Sequence, residues 1–237
     1  MTRPHRRSRL PVGTPLRRWR RRPLPPRTPM QGRFCRLEPL DPRVHAADLF
    51  AAFREDADGR GWTYMSYGPF KRAARFAEWL QGECRGDDPL FFAIVDDSNR
   101  ATGMTSFLRM QPAIGVIEVG HIHFAPRLQR TPAATEAIYL MLHRVFAELG
   151  YRRCEWKCDS RNAASRAAAV RLGFTYEGLF RQATIYKGRN RDTAWYSIVD
   201  REWPRLRASF RRWLAPGNFD PDGRQRRRLN AAHRGID

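Results

Sequence analysis

The sequence predicts an α+β domain with a mixed, mostly antiparallel sheet flanked by helices. Apolar residues follow the helical period in some segments and the strand period of two in others. Two strand-like segments, 101–110 and 114–124, are neighbours in the chain, which favours an antiparallel pair. A chain of 237 residues with 42% hydrophobic content can bury one substantial core. We therefore expect a single domain over residues 31–214.

The first half of this domain alternates strands and helices. A strand is expected over 33–40, and a helix over 44–54 carries its apolar residues on one stripe. A second helix is expected over 71–80, and a short apolar strand over 89–96, before the antiparallel pair. An aromatic loop over 62–70 separates the two helices; such side chains pack in cores and also wall binding pockets.

The second half contains a long helix with clear end signals. Thr131 is a favourable N-cap, Pro132 suits the first helical position, and Gly150 can close the helix in the left-handed conformation. Apolar residues between them lie three or four apart, which predicts one buried stripe. The remaining predicted elements are a strand containing Cys154 and Cys158, a short helix from Asn162 to Gly173, strands over 180–187 and 193–199, and a helix opened by Pro204.

The net charge of +20 is concentrated at the chain ends. Residues 1–30 contain ten arginines and no acidic residue, and residues 215–237 contain five arginines. Segments of this composition bury too little apolar surface to offset their ordering entropy, so we expect a disordered tail over 1–30 and a flexible tail over 215–237. We expect loose electrostatic contact with RNA or ribosomes rather than specific nucleic-acid recognition.

The remaining composition narrows the class of protein. No run of about 18 apolar residues is present, so we expect no membrane span. The arginine- and proline-rich start lacks the apolar region of a secretory signal. The four cysteines are scattered without disulfide-like or zinc-like spacing, which favours a reduced, cytoplasmic protein.

Three motifs point to one family. They are Val-Gly-His-Ile-His-Phe at 119–124, Leu-Gln-Arg-Thr-Pro-Ala-Ala-Thr-Glu-Ala at 128–137, and the segment 162–174 from Asn-Ala-Ala-Ser to Leu-Gly-Phe. Together they describe a strand, a turn opening a long helix, a second strand and a short glycine-closed helix. This order resembles the acetyl-CoA site of the GNAT superfamily of N-acetyltransferases, in particular its RimJ/RimL-like branch. The resemblance extends roughly over 32–203.

The resemblance implies a sheet that splays at acetyl-CoA, with the pyrophosphate held at the start of the long helix. In the family the motif is Gln/Arg-x-x-Gly-x-Gly/Ala, and here Gln129, Pro132 and Ala134 occupy those positions. Proline lacks an N–H group, so part of the phosphate cradle must be built differently. The cofactor-binding residues implied are Phe124, Gln129, Arg130, Thr131, Ala133, Ala134, Thr135 and Asn162.

The family reaction is direct acetyl transfer to a primary amine. Glu118 matches a family glutamate that serves as a base through water, and pairing with an arginine is an equally good interpretation. His121 or His123 is an alternative base, because imidazole titrates near neutrality. A β-bulge would decide which side chain faces the cleft. Ser165 matches the residue that protonates the leaving thiolate.

The motifs do not single out one acceptor or one set of acceptor-binding residues. The family places acceptor-binding residues near the aromatic loop, so Trp62, Tyr64 and Tyr67 are candidate walls of an amine pocket. The acceptors implied are protein N-termini or small-molecule amines. The two histidines lack a plausible third ligand, so no metal is expected. The alternative is a weakly active or inactive protein that binds CoA or associates with RNA or ribosomes.

Overall fold

One twisted sheet organises the molecule. The structure is a computed structural model that describes residues 10–84, 86–229 and 231. Within them, eight strands follow the order β1-β2-β3-β4-β5-β6-β8-β7. The strands are β1 (Met30–Gln31), β2 (Arg36–Pro39), β3 (Leu90–Val95), β4 (Ala101–Gln111), β5 (Val116–Phe124), β6 (Arg153–Asp159), β7 (Thr175–Tyr186) and β8 (Arg189–Val199). Neighbouring strands are antiparallel except β5 and β6, which are parallel. The predicted mixed, mostly antiparallel sheet is confirmed.

Helices cover both faces of the sheet. They are α1 (Pro42–Phe53), α2 (Ala73–Glu83), α3 (Pro132–His143), α4 (Ala163–Arg171) and α5 (Trp203–Leu214). Alternate residues of β3 enter different hydrophobic clusters: Phe92 lies in the cluster of α3 and α5, and Phe91 in that of α1 and α2. Because successive strand residues point to opposite faces, the two clusters lie on opposite sides of the sheet.

Local sequence signals set the ends of α3. The Thr131 hydroxyl oxygen accepts a hydrogen bond from the Ala134 N–H at 3.2 Å, and Pro132 occupies the first turn. After His143 the helix widens into a π-helical turn, and Gly150 follows with a φ of 67°. The predicted cap, first-turn proline and closing glycine are all seen, because each depends only on neighbouring backbone.

The segment before β1 lies against the body of the protein. The Trp19 indole Nε1 donates to the Ala113 carbonyl at 2.7 Å. The Arg144 guanidinium, which is 5% exposed, donates to the carbonyls of Thr28 and Pro29 at 2.7 and 3.0 Å. We call residues 19–29 the N-terminal strap.

These contacts differ from the disorder expected over 1–30, of which residues 1–9 lie outside the described residues. The strap uses single side chains and backbone carbonyls rather than an apolar stripe, so periodicity gives no signal for it. At the other end, Leu229 is 9% exposed and Ala231 is fully buried, within the expected flexible tail.

Candidate active site

The parallel strands β5 and β6 separate part-way along their length. Their register pairs Val116 with Arg153, Ile117 with Cys154 and Glu118 with Glu155, and the described residues show no further pair between them. Beyond Glu118, the edge of β5 that faces β6 therefore has no strand partner. Backbone N–H and C=O groups there can bind an extended ligand inserted between the strands. We call this opening the splay.

The start of α3 follows directly from the open end of β5. The Gln129 side chain donates to the Phe124 carbonyl at 3.0 Å, which ties the turn to the end of the strand. Arg130 has a φ of 62° and reverses the chain into the helix. A helix N-terminus carries unpaired N–H groups and partial positive charge, which suit an anionic ligand.

The first turn of α3 offers fewer donors than a glycine-rich turn. Pro132 has no N–H, and the Ala134 N–H is bonded to the Thr131 hydroxyl. Ala134 and Thr135 are buried, at 8% and 4% exposed, whereas Ala133 is partly exposed. Ala133 therefore presents the accessible side of this turn.

Glu118 lies at the apex of the splay in a network of ion pairs. Its carboxylate is 3% exposed, and both oxygens lie 2.8 Å from Arg109 Nη1. Lys157 Nζ lies 3.0 Å from Glu118 and 2.8 Å from Glu155. Of the two interpretations of Glu118, the geometry matches a strand carboxylate paired with an arginine.

His121 occupies a β-bulge just beyond the apex. The register with β4 shifts between Met104 and Ser106, and His121 has a φ of 49°. Its Nδ1 lies 2.9 Å from the Tyr67 hydroxyl. Burial, with a smaller effect of nearby Arg109, lowers the pKa of His121 to about 4. The imidazole is therefore neutral at physiological pH, and the lowered pKa makes it a weaker base than a free histidine.

His123 is packed between aromatic rings. Its ring centroid lies 3.9 Å from that of Trp62 and 4.3 Å from that of Phe53. Burial lowers the pKa of His123 to about 4. The residue is 4% exposed, which makes it a core aromatic beside the splay rather than an accessible base.

The aromatic loop contacts both arms of the splay. Trp62 and Tyr67 contact the histidines of β5, and the Tyr64 hydroxyl donates to the Arg161 carbonyl, just after β6, at 3.0 Å. Trp62 and Tyr67 thus pack in the cluster of α1 and α2, whereas Tyr64 contacts the chain just after β6.

A cavity of about 250 Å³ lies beside the same loop. Phe53, Trp62, Phe70 and Phe76 form its apolar walls, and Asp56 is among its polar lining residues. Because Trp62 both lines this cavity and packs on His123, it is a wall shared by the cavity and the edge of the splay.

Comparison with known proteins identifies the family. The profile of the acetyltransferase (GNAT) domain matches residues 35–175, more than half of the chain. The chain belongs to the GNAT acetyltransferase family. It is 26% identical, over 59% of its length and 80% of the relative's, to an uncharacterized N-acetyltransferase p20 of Bacillus licheniformis.

Solved GNAT structures share the fold over most of the chain. A GCN5-related N-acetyltransferase from Brucella melitensis has 46% identity and a TM-score of 0.88, covering 90% of this chain and 97% of that one. A probable acetyltransferase from Chromobacterium violaceum has 43% identity and a TM-score of 0.77, covering 84% and 100%. The fold around the splay is thus that of the family.

Within this GNAT domain, Asn162 and Ser165 begin α4. The Asn162 side-chain oxygen accepts from the Ser165 N–H at 3.0 Å, so its capping role is seen directly. The Ser165 hydroxyl oxygen accepts from the Trp156 indole at 3.0 Å. Accepting this bond uses an oxygen lone pair and not the hydroxyl hydrogen, so the bond does not prevent Ser165 from acting as a proton donor.

The cysteines of the GNAT domain suit packing rather than nucleophilic attack. All four are free. Burial raises the pKa of the Cys154 and Cys158 thiols, which lie on β6 beside the splay. Since the thiolate is the nucleophile, a thiol kept protonated is a poor one.

The described residues contain no cluster of three or more side chains that could hold a metal ion. Nor does any helix in that part of the chain have the length and apolar character needed to cross a bilayer.

Sequence reasoning missed three side chains at the site. Lys187 Nζ donates to the Trp62 carbonyl at 2.7 Å, and the Tyr186 hydroxyl donates to the Asp159 carboxylate at 2.8 Å. Lys157 closes the ion-pair network at the apex and lies 3.7 Å from the centroid of the Trp195 ring. One signal was available: only three of the 44 basic residues are lysines, and two of them lie here.

Proposed function

We propose that this GNAT protein transfers an acetyl group from acetyl-CoA to a primary amine by direct attack. The observation that carries the proposal is the splay of β5 and β6 after Glu118, which leads directly to the N-terminus of α3. An extended thioester held between the strands would place its phosphates at that N-terminus. The opposite face of the sheet, beside the aromatic loop, is then left for the amine.

Acetyl-CoA would be held mainly by backbone groups. The unpaired edge of β5 up to Phe124 suits the amides of the pantetheine arm, and the partly exposed turn at Ala133 suits the pyrophosphate. Asn162 can contact the arm from the start of α4. A protein of the same fold, the microcin C7 self-immunity acetyltransferase MccE, was crystallised with acetyl-CoA and AMP; it has 21% identity and a TM-score of 0.63.

The RimJ/RimL-like branch is part of the proposal. A Salmonella typhimurium acetyltransferase that modifies the N-terminal serine of a 50S ribosomal subunit protein shares the fold, with 20% identity and a TM-score of 0.62. That likeness supports the fold, and the acceptor class has to come from the site itself. A cytoplasmic location is likewise proposed.

The chemistry needs a deprotonated amine, a polarised carbonyl and a protonated leaving thiolate. We assign proton acceptance to His121, because it is the partly exposed histidine beside the splay and only its Nδ1 has a hydrogen-bond partner among the described residues. Glu118 is a poorer base since both of its oxygens are engaged by Arg109 and Lys157. Backbone N–H groups of β5 would polarise the carbonyl, and Ser165 would protonate the thiolate.

Two measurements test the function. Calorimetry should detect acetyl-CoA binding, and a thiol-release assay over a panel of amines should detect turnover.

His121→Asn should lower kcat by roughly 10²–10⁴, the usual range for loss of a general base, with acetyl-CoA affinity unchanged. Glu118→Gln should instead destabilise the fold by about 1–3 kcal/mol, because it removes one of the two carboxylates paired with the 10%-exposed Lys157.

A GNAT-fold protein without activity gives a different pattern. Binding of acetyl-CoA with no thiol release on any amine or peptide would contradict the proposed function. A full loss of turnover in a stably folded Glu118→Gln enzyme, with His121→Asn still active, would return the base to Glu118.

A further inference from the structure

The aromatic loop and the β7–β8 hairpin meet over the splay. Residues 60–67 contact β5 through Trp62 and Tyr67, and they contact the end of β6 through Tyr64. The hairpin tip adds Lys187 on the Trp62 carbonyl and Tyr186 on Asp159. We call the loop 60–67 and the tip 186–188 together the bridge.

The bridge lies on the face from which an amine would approach. His121 and His123 contact Phe91, Phe53 and Trp62, which belong to the cluster of α1 and α2. The helix α3 packs in the cluster on the opposite face. The bridge therefore spans the wide end of the splay on the side away from the proposed acetyl-CoA site.

The hairpin tip is a tight turn held by two side-chain hydrogen bonds. Tyr186 pairs with Arg189, so only two residues form the turn, and both Lys187 and Gly188 have positive φ, at 48° and 68°. This geometry is typical of a tight type I′ hairpin. The tip is held to the loop and to β6 by different side chains, so removing one bond leaves the other.

The apex side of the opening is also closed. Glu118, Lys157 and Arg109 form the ion-pair network described above. An acceptor must therefore enter between this network and the bridge. We propose that these two boundaries form a bay that admits small molecules with a single primary amine and excludes the N-termini of folded proteins. This inference rests on the proposed function.

The charges at the bridge disfavour polyamines. Asp159 accepts from the Tyr186 hydroxyl and from the Arg161 N–H, so its carboxylate is engaged. Lys187 is a cation bonded to a neutral carbonyl, and Arg191 lies with its Cζ 5.9 Å from the Tyr186 ring centroid. The buried Nε of Arg191 has no hydrogen-bond partner among the described residues. A neutral or anionic body is therefore favoured beside the reacting amine.

The test compares acceptor sizes in the full-length protein. We would measure kcat/KM for small monoamines such as benzylamine and glycinamide, for spermidine, for an octapeptide with a free N-terminus and for a folded protein substrate. The kcat/KM for the monoamines should exceed that for the octapeptide by about tenfold or more, and the folded protein should have the lowest kcat/KM. Spermidine should fall below monoamines of similar length.

Opening the bridge should relax this selection. The double variant Lys187→Met/Tyr186→Phe keeps both side-chain volumes and removes both bonds that hold the hairpin tip. It should lower the ratio of kcat/KM for monoamines to kcat/KM for the octapeptide by about tenfold. It should also speed amide hydrogen exchange over 184–190. Tyr176→Phe, at a 50%-exposed tyrosine of β7 outside the bridge, is the matched control and should change neither measurement.

Several results would overturn the bay. One is a wild-type kcat/KM that is higher for the octapeptide or the folded protein than for the monoamines. Another is a double variant in which hydrogen exchange at the hairpin is faster but the ratio of kcat/KM for monoamine to octapeptide is unchanged. Unchanged exchange would show that these bonds do not hold the bridge. If acetyl-CoA binds but no acceptor is acetylated, both the proposed function and the proposed substrate class are wrong. If peptides are acetylated faster than small monoamines, only the proposed selection by the bay is wrong.

Discussion

His121 and His123 lie two residues apart on β5, but their side chains have different surroundings. The bulge turns His121 towards the Tyr67 hydroxyl, while His123 is covered by Trp62 and Phe53. Burial lowers the pKa of both to about 4. The shared shift therefore reports burial, and exposure distinguishes the two rings, since His121 is partly exposed and His123 is 4% exposed.

Stability should depend on pH through these two residues. An unfolded histidine takes up a proton near pH 6.5, whereas the folded pKa values are about 4. Between these values the unfolded state binds more protons, so stability is complete above pH 6.5 and falls as the pH drops towards 4. The loss should be about 3 kcal/mol for each ring, measured by urea unfolding at a series of pH values.

The variant His123→Phe separates titration from packing. Phenylalanine keeps an aromatic ring against Trp62 and Phe53 but cannot take up a proton. Its unfolding free energy should change little at pH 8, and the slope between pH 6.5 and 4 should become shallower. A slope as steep as that of the wild type would show that His123 does not contribute to it.

At the scale of elements, the start of α3 combines a strong cap with few free N–H donors for an anion. Thr131 and Pro132 favour helix initiation, yet the same two residues remove donors that an anion would use. The position of this turn offsets the missing N–H donors. The turn follows the open edge of β5, so a ligand bound along that edge would extend to the N-terminus of the helix.

Ala133→Glu should separate helix stability from acetyl-CoA binding. A carboxylate in the first turn suits the helix dipole, so the Tm of the free protein should stay the same or rise slightly. The same carboxylate would repel a pyrophosphate, so the rise in Tm that saturating acetyl-CoA produces should disappear. Ala133→Gln, similar in size and uncharged, should keep most of the rise. A full rise in the glutamate variant would place the phosphates elsewhere.

At the scale of the whole molecule, the N-terminal strap joins distant parts of the chain. Trp19 packs on Gly115, where an added Cβ would lie 2.3 Å from the indole ring, and the Tyr151 hydroxyl donates to the Pro23 carbonyl at 3.0 Å. With the contacts of Arg144, the strap connects the β4–β5 turn to the end of α3.

Removal of the strap should destabilise the domain. Deleting residues 1–28 takes away the carbonyl partners Pro23 and Thr28 of the buried Tyr151 and Arg144 side chains. The expected cost is about 1–3 kcal/mol, or roughly 2–10 °C in Tm by thermal unfolding. Trp19→Ala should reproduce part of the loss.

The 85%-exposed Val12 provides the control, since Val12→Ala should have no effect on Tm. A truncated protein as stable as the full chain would instead support the disordered tail that composition predicts.

The sequence by itself determined the order of the main elements and the ends of α3, and it indicated the segments in which we propose the site. Thr131, Pro132 and Gly150 act on their own turns, so their effect can be read without knowing the fold. The alternation of apolar residues likewise reports which segments face a core. The match of the motifs to one family then indicated where strands and helix meet, and the shared fold confirms the architecture.

Only the tertiary structure decided the partners of the site residues. Glu118 is bonded to Arg109 on one neighbouring strand and Lys157 on the other, and these contacts depend on register. The bulge at His121 shifts that register by one residue, which no periodicity reveals. Lys187 reaches Trp62 across 125 positions of sequence. Contacts between distant segments form only once the sheet has assembled, because its order and twist bring those segments together.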